Sequence, residues 1–240
     1  MQTDSNRFWS QAWVRHIEEY LKSVPRAGIF LKNYFAKERT VLEVAGGSCR
    51  DSRYLAKKGF VATCSDFDAQ TIKYLKEVRF PNDLLRYSVE DAFAFSYKKR
   101  SFDMVFHNGF FIYFDDAQIM QMLQEQARVA KHYIIFFVHN GANRELIETF
   151  RKRAQSDKLF DIRFFSQDEC IALVKSSGID VKRIKIAKFG GFFDLFYKKR
   201  FKGVIPNPLY PLREYIVPRL YWLQRWENTE RICCIVELHR

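Results

Sequence analysis

A strand–turn–helix rhythm that begins at residue 40 constrains this chain more than any other feature. Thr40–Ala45 is an apolar run of strand length, Gly46 and Gly47 follow it, and Asp51–Lys58 has helical periodicity. The helix closes on Lys57, Lys58 and Gly59, a basic last turn with glycine at the C′ position. The unit then repeats. Phe60–Ser65 predicts a second strand, and Ala69–Val78 a second helix with Asp68 as its N-cap. Leu84–Val89 and Phe102–His107 predict two more strands. Asp115 and Gln118 are spaced as a capping box and open a helix that runs to about Ala130. His132–His139 predicts a central strand, residues 143–155 a helix, and Ser166 with Glu169 a second capping box whose helix stops at Gly178. Val181–Ala187 and Arg231–Leu238 predict the last strands. Strands separated by helices of about ten residues imply βαβ units and a mostly parallel sheet.

Two segments fall outside the rhythm. In residues 6–24, Trp9, Trp13, Ile17 and Leu21 recur every fourth position, the mark of an amphipathic helix. Residues 188–230 hold basic clusters, aromatics and Pro206, Pro208, Pro211 and Pro218. The expected organisation is one domain over 1–240: cap helices in 1–34, a ligand-binding core in 35–187, an insertion or lid in 188–230, and a last strand in 231–240.

Composition excludes several classes. Apolar residues make 48% of the chain and aromatics 17%, too many for a disordered polymer. No run of roughly eighteen uncharged apolar residues is present, so no integral membrane span is expected. The richest stretch, Val204–Leu223, contains four prolines with Arg213, Glu214 and Arg219. Asp4, Asn6 and Arg7 precede Phe8 without an apolar signal segment. The five cysteines are odd in number and include no CxxC, which predicts a reducing, cytoplasmic setting with Cys49 and Cys64 as small buried side chains. The five histidines show no HxxxH or HxH spacing, so no metal site is expected. The charge of +12 is uneven, with 21 basic and 18 acidic side chains in residues 1–150 against 19 and 10 in residues 151–240.

In open α/β sheets, ligands bind beyond the carboxyl ends of the strands, where strand order reverses. The first strand–loop–helix is therefore the expected site. Small residues at Ala45, Gly46, Gly47 and Ser48 allow close approach to the backbone, and the Glu43 carboxylate sits just before the turn. This segment resembles motif I of the class I S-adenosylmethionine-dependent methyltransferases, an acid followed by three alternating glycines. Glu43 takes the acid position, and Ala45, Gly47 and Cys49 take the glycine positions. Arg50–Ala56 is similar to the family's first helix.

The resemblance spans about residues 35–187 and implies a Rossmann-like, doubly wound α/β fold. Its mainly parallel seven-stranded sheet carries helices on both faces. It implies S-adenosyl-L-methionine as cofactor, cradled by Glu43, Ala45, Gly46 and Gly47. Asp66, at the second strand's tip, would accept hydrogen bonds from both ribose hydroxyls, and Phe67 would cover an adenine face. Asp91, with Glu90 and Ala92 beside it, would hold the adenine amino group. The run Phe102–Phe110 resembles the fourth motif, with His107 and Asn108 next to the donor. A dinucleotide reading fails by comparison. Neither Gly46 nor Gly47 starts a G-x-G-x-x-G, and a carboxylate at Glu43 suits an ammonium and a sulfonium better than a pyrophosphate.

Methyl transfer from a sulfonium is a direct displacement, so alignment and exclusion of water matter most, with a general base for some acceptors. His107 is the first candidate base, ahead of Tyr113 and His139. Trp9, Trp13, Tyr113 and His139 are candidate acceptor contacts. No N-P-P-Y tetrad follows the fourth strand, so the amino-methylating nucleic-acid subgroup is not implied. Residues 182–202 interleave eight cations with six aromatics, a composition suited to RNA, a phosphorylated small molecule or an anionic lipid surface. Three functional readings stay open: methylation of a small-molecule or glycan-like acceptor, anionic ones included; methylation of RNA through the basic segment; and a non-catalytic binding subunit. The expected assembly is a monomer or a homodimer.

Overall fold

The computed structural model describes residues 16–78, 80–197 and 212–239. Trp9, Trp13 and Lys198–Lys202 lie outside them, so the roles expected of those positions are not described further.

Seven strands form one sheet: β1 (Thr40–Glu43), β2 (Val61–Asp66), β3 (Leu85–Val89), β4 (Phe102–Asn108), β5 (Ala130–His139), β6 (Val181–Gly191) and β7 (Thr229–Leu238). Their order is β3-β2-β1-β4-β5-β7-β6. The pairs among β1 to β5 are parallel, whereas β7 runs antiparallel to both β5 and β6. From β1 the chain first winds outward through β2 and β3, then returns to lay β4 on the other side. The reversal point is therefore the cleft between the tips of β1 and β4.

The helices are α1 (Arg26–Tyr34), α2 (Arg50–Lys57), α3 (Ala69–Glu77), α4 (Asp116–Val129), α5 (Arg144–Ala154), α6 (Gln167–Ser176) and α7 (Arg213–Leu220). Their ends follow local chemistry. Asp68 accepts from the Thr71 and Gln70 amides ahead of α3, and both expected capping boxes form, Asp115 with Gln118 and Ser166 with Glu169. Gly59 at φ +89° and Gly178 at φ +73° follow α2 and α6, left-handed positions where a side chain is disfavoured.

Alternation along the strands divides the core between two faces. Leu42, Val105, Ile134 and Phe136 pack under α4 and α6 with Ile119, Leu123 and Val174. Val41, Met104, Phe106, Ile135 and Phe137 face the other way, against Phe30, Leu31 and Leu55 of α1 and α2. Helices thus cover both faces, as the resemblance implied.

Strand β6 continues past Ala187 to Gly191, four residues beyond the expected end, because β7 pairs with it as far as Gly191–Thr229. The described part of 188–230 then packs on the α1 face, where Tyr197, Val217 and Tyr221 are buried with Phe30, Phe137 and Phe189. No helix among the described residues is long and apolar enough to cross a membrane.

Candidate active site

A crevice with a volume of about 830 Å³ opens at the carboxyl edge of the sheet, over the tips of β1, β2 and β4. That is near the top of the range for ligand pockets. The expected donor residues Glu43, Ala45, Gly46, Asp66, Phe67, Glu90, Asp91, Ala92 and Asn108 line it together, and so do Tyr113 and His139.

The loop after β1 preserves the conformation of three alternating glycines without having them. Ala45, Gly47 and Cys49 have φ of +49°, +52° and +52°. Two non-glycine residues thus occupy the left-handed region, at roughly 1–2 kcal/mol each. Neighbours hold them there. The Gly46 amide donates to Ser65 O at 2.9 Å, the Gly47 amide donates to Asp66 Oδ2 at 2.9 Å, and the Cys49 amide donates to Gly46 O at 2.8 Å. A Cβ on Gly46 would lie 2.5 Å from the Cys64 sulfur, so only glycine fits there.

Cys49 and Cys64, expected to be separate side chains, are joined as a disulfide with Cα atoms 5.8 Å apart. This corrects the sequence expectation. The parallel register sets Cys64 beside Glu43, directly beneath the loop that carries Cys49. The bridge also removes the ground on which a reducing compartment was expected. A Glu43 oxygen and the two sulfurs lie within 4.8 Å of one another, but in the bonded state neither sulfur is a thiolate ligand.

Glu43 is buried and accepts from the Ser52 amide at 2.9 Å. Burial, reinforced by the neighbouring Asp51 charge, pushes its carboxyl up to about 8. Asp66 accepts from the Gly47 amide and from the Asp68 amide at 3.1 Å, one bond on each oxygen. Each oxygen keeps a lone pair for a further donor, and burial raises its pKa. Phe67, 42% exposed, stands at the rim. Glu90 is consumed by its own loop, accepting from Ser88 Oγ, Ser96 Oγ and the Ser96 amide. Asp91 accepts from the Phe93 amide through Oδ1 and has an oxygen to spare, which makes it the better acceptor of a ligand amino group.

His107 does not join the site. Its side chain is fully buried beside Phe110, Phe111 and Phe136, and neither ring nitrogen has a partner among the described residues. Burial pushes its pKa down to about 3. A group with neither access nor basicity cannot take a proton from an acceptor, so the general-base expectation fails. Strand alternation is the cause, because Asn108 faces the crevice while its neighbour points into the core.

The far end of the crevice joins the expected Tyr113 and His139 to Arg26, Glu230 and Arg231, which the sequence did not single out. Arg26 donates to both oxygens of Glu230, at 2.6 and 2.8 Å, and also to Asp194. Arg231 lies opposite His139 in the antiparallel β5–β7 ladder and donates to Asn108 Oδ1. Tyr113 donates to Leu159 O at 2.9 Å and is raised by burial. His139 is lowered by burial and by the Arg231 charge. Glu230-Arg231 ahead of the apolar run Ile232–Val236 was the available sequence signal, a charged pair entering a buried strand. Of the described residues in 188–230, Glu230 alone lines the crevice.

Comparison with known proteins agrees with this geometry. Residues 41–133 match a family model described as a methyltransferase domain. No curated protein matches the chain by sequence. Among solved structures, a possible histamine N-methyltransferase from Thermotoga maritima superposes with a TM-score of 0.62 at 13% identity, covering 100% of both chains. A SAM-dependent methyltransferase from Archaeoglobus fulgidus gives 0.61 at 15% identity, covering 92% of this chain and 97% of that one. The magnesium protoporphyrin IX methyltransferase of Synechocystis, solved with bound SAH, gives 0.51 at 11% identity, with 84% and 74% covered. At such identities the structural likeness establishes the fold. Residues 41–133 thus resemble a methyltransferase domain, and the sheet that carries them has the fold of these methyltransferases.

Proposed function

We propose that the protein methylates a small-molecule acceptor bound in the arginine- and aromatic-lined end of the crevice, with the donor over the β1 and β2 tips. S-adenosylmethionine supplies a methyl group activated by its sulfonium, which the acceptor's nucleophile displaces directly. The residues present fit that donor. Glu43 faces the crevice as the counter-charge for an ammonium, and Asp66 keeps one lone pair per oxygen for the two hydroxyls of a ribose. Asp91 offers its spare oxygen to the adenine amino group, and Phe67 covers the ring.

The chain's own contribution to rate is alignment and dryness. Phe110, Phe150 and Phe160 wall the acceptor end, and Asn108, fixed by Arg231, borders both halves. No side chain described in the crevice is poised as a strong base, since burial and Arg231 keep His139 neutral and burial raises Tyr113. This suits an acceptor that is nucleophilic without help.

One observation carries the reading: acids suited to the donor and a set of arginines and aromatics line the same crevice. The basic segment gives RNA less support. Lys182 and Arg183 both pair with Glu237, and Lys188 donates to backbone carbonyls of Trp222 and Gln224.

Calorimetric titration with S-adenosylhomocysteine tests the donor assignment. Wild type is expected to bind, and Asp66→Asn to bind about tenfold to a hundredfold more weakly through lost charge-assisted bonds. Unchanged affinity in that variant would remove Asp66 from the site.

A further inference from the structure

Charge is unevenly spread around the crevice. Glu43, Asp66, Glu90 and Asp91 line it over β1 to β3, with Arg50 and Asp51 beside Glu43, whereas Arg26, Arg153, Glu230 and Arg231 belong to α1, α5 and β7. The donor's positive groups account for the acids. The donor's one carboxylate calls for a single cation, which Arg50 beside Glu43 can supply, and this leaves Arg26, Arg153 and Arg231 unaccounted for.

Their hydrogen bonds show which of them is committed. Arg26 is spent on Glu230 and Asp194. Arg50 donates to Ser23 Oγ and Asp51, with its guanidinium 5.4 Å from the Tyr20 ring centre. Arg153 lies over Phe160, 3.5 Å from the ring centre, at the exposed rim. Arg231 is different. Its side chain is only 14% exposed, its Nε reaches Glu230 Oε1 at 3.3 Å, and its Nη1 donates to Asn108 Oδ1. Its Nη2 has no partner among the described residues. Glu230 cannot neutralise it fully, because both of that carboxylate's oxygens already accept from Arg26. Burial lowers the Arg231 pKa, Glu230 opposes that, and Arg26 and Arg50 lower it further. An under-neutralised guanidinium, nearly buried beside other cations, is a poised anion site.

Next to it stands the apolar wall. Phe150 meets the His139 ring edge-on, with centroids 4.8 Å apart, and Phe110 and Phe160 complete that side. Close contact also shields the guanidinium: a Cβ on Gly109 would come 2.9 Å from Arg231 Nη1, so glycine there leaves the arginine room beside the β4 tip.

We infer that the acceptor carries a carboxylate on an apolar or aromatic body, that the carboxylate binds the Arg231 guanidinium, and that the body packs on Phe110, Phe150 and Phe160. This rests on the proposed donor placement, since the donor leaves that end free. A planar guanidinium with its outer edge open matches a carboxylate. Arg231 is thus a specificity-determining residue for the reaction.

The experiment uses the full chain saturated with S-adenosylhomocysteine. Phenylacetate, phenylacetamide and 2-phenylethylamine are titrated against it and read by ligand-observed NMR. Phenylacetate is expected to bind at least tenfold more tightly than the amide or the amine, and to weaken as sodium chloride is raised. Arg231→Gln should abolish that preference while keeping affinity for S-adenosylhomocysteine, and Arg231→Lys should restore part of it. Equal affinities of the three probes for wild type would overturn the inference whether or not the variants fold, and would leave the donor assignment standing. Failure of wild type to bind S-adenosylhomocysteine would overturn both. A preference that survives in a folded Arg231→Gln would refute Arg231 as the anchor.

Discussion

Glu43 should destabilise the ligand-free protein, and Glu43→Gln should reveal by how much. In the folded state its carboxyl titrates near 8, against an ordinary value of 4.5. Burial is the main cause and the Asp51 charge the second. The folded protein therefore holds a proton that the unfolded chain releases above about pH 4.5, so stability falls as pH rises from there to about 8. At pH 7.5 the unfolded chain sits roughly 3 units above its own pKa, and each unit is worth about 1.4 kcal/mol, giving a cost on the order of 4 kcal/mol. Glutamine imitates the protonated acid and still accepts from the Ser52 amide. Glu43→Gln should thus gain roughly 2–4 kcal/mol at pH 7.5, or on the order of 5–10 °C in Tm, and less than about 1 kcal/mol at pH 5. Urea denaturation followed by circular dichroism at the two pH values measures the difference. The same variant should bind S-adenosylhomocysteine more weakly, because the ammonium loses its counter-charge. A gain that is absent, or equal at both pH values, would refute the account of Glu43 as a buried acid held ready for a cation.

Other perturbations separate local causes. His107→Leu removes two unpartnered ring nitrogens from an apolar setting, so it should retain methyl transfer and gain about 1 kcal/mol; a large loss of kcat with the fold intact would restore a catalytic role. Glu230 is pushed up by burial, but Arg26, charged and doubly hydrogen-bonded to it, prevails and holds the carboxyl well below its usual range. Its stabilisation is present in full above about pH 4.5 and is lost as pH falls below that. Glu230→Gln should cost roughly 3 kcal/mol at pH 7 and flatten the acid limb of the stability profile, and an unaltered limb would count against the pair. Ala45→Gly should stabilise by about 1 kcal/mol in urea denaturation, since φ at this position is +49°. A loss would mean that the loop does not hold that conformation in solution.

Local signals were enough to establish the βα rhythm, both capping boxes and the Asp68 cap, because each depends on neighbours within a few residues, whereas the motif around Glu43 and Asp66 came from the family resemblance. Periodicity set the class of fold, since helices of that length between apolar strands leave a parallel sheet as the way to bury both faces. Parity was not legible. Strand β4 is apolar on both sides, so nothing in Phe102–Asn108 says whether His107 or Asn108 meets the ligand. Long-range partners were not legible either. Cys49 meets Cys64 only because β1 and β2 lie side by side, and Arg231 reaches Asn108 only because β7 returns antiparallel to β5 from ninety residues downstream. Sequence by itself determined the scaffold and offered the acids proposed to hold the donor, which come from one continuous stretch of chain. The proposed acceptor end was decided by tertiary structure, because its charges come from α1, α5 and β7 and meet only when the sheet closes the distance between them.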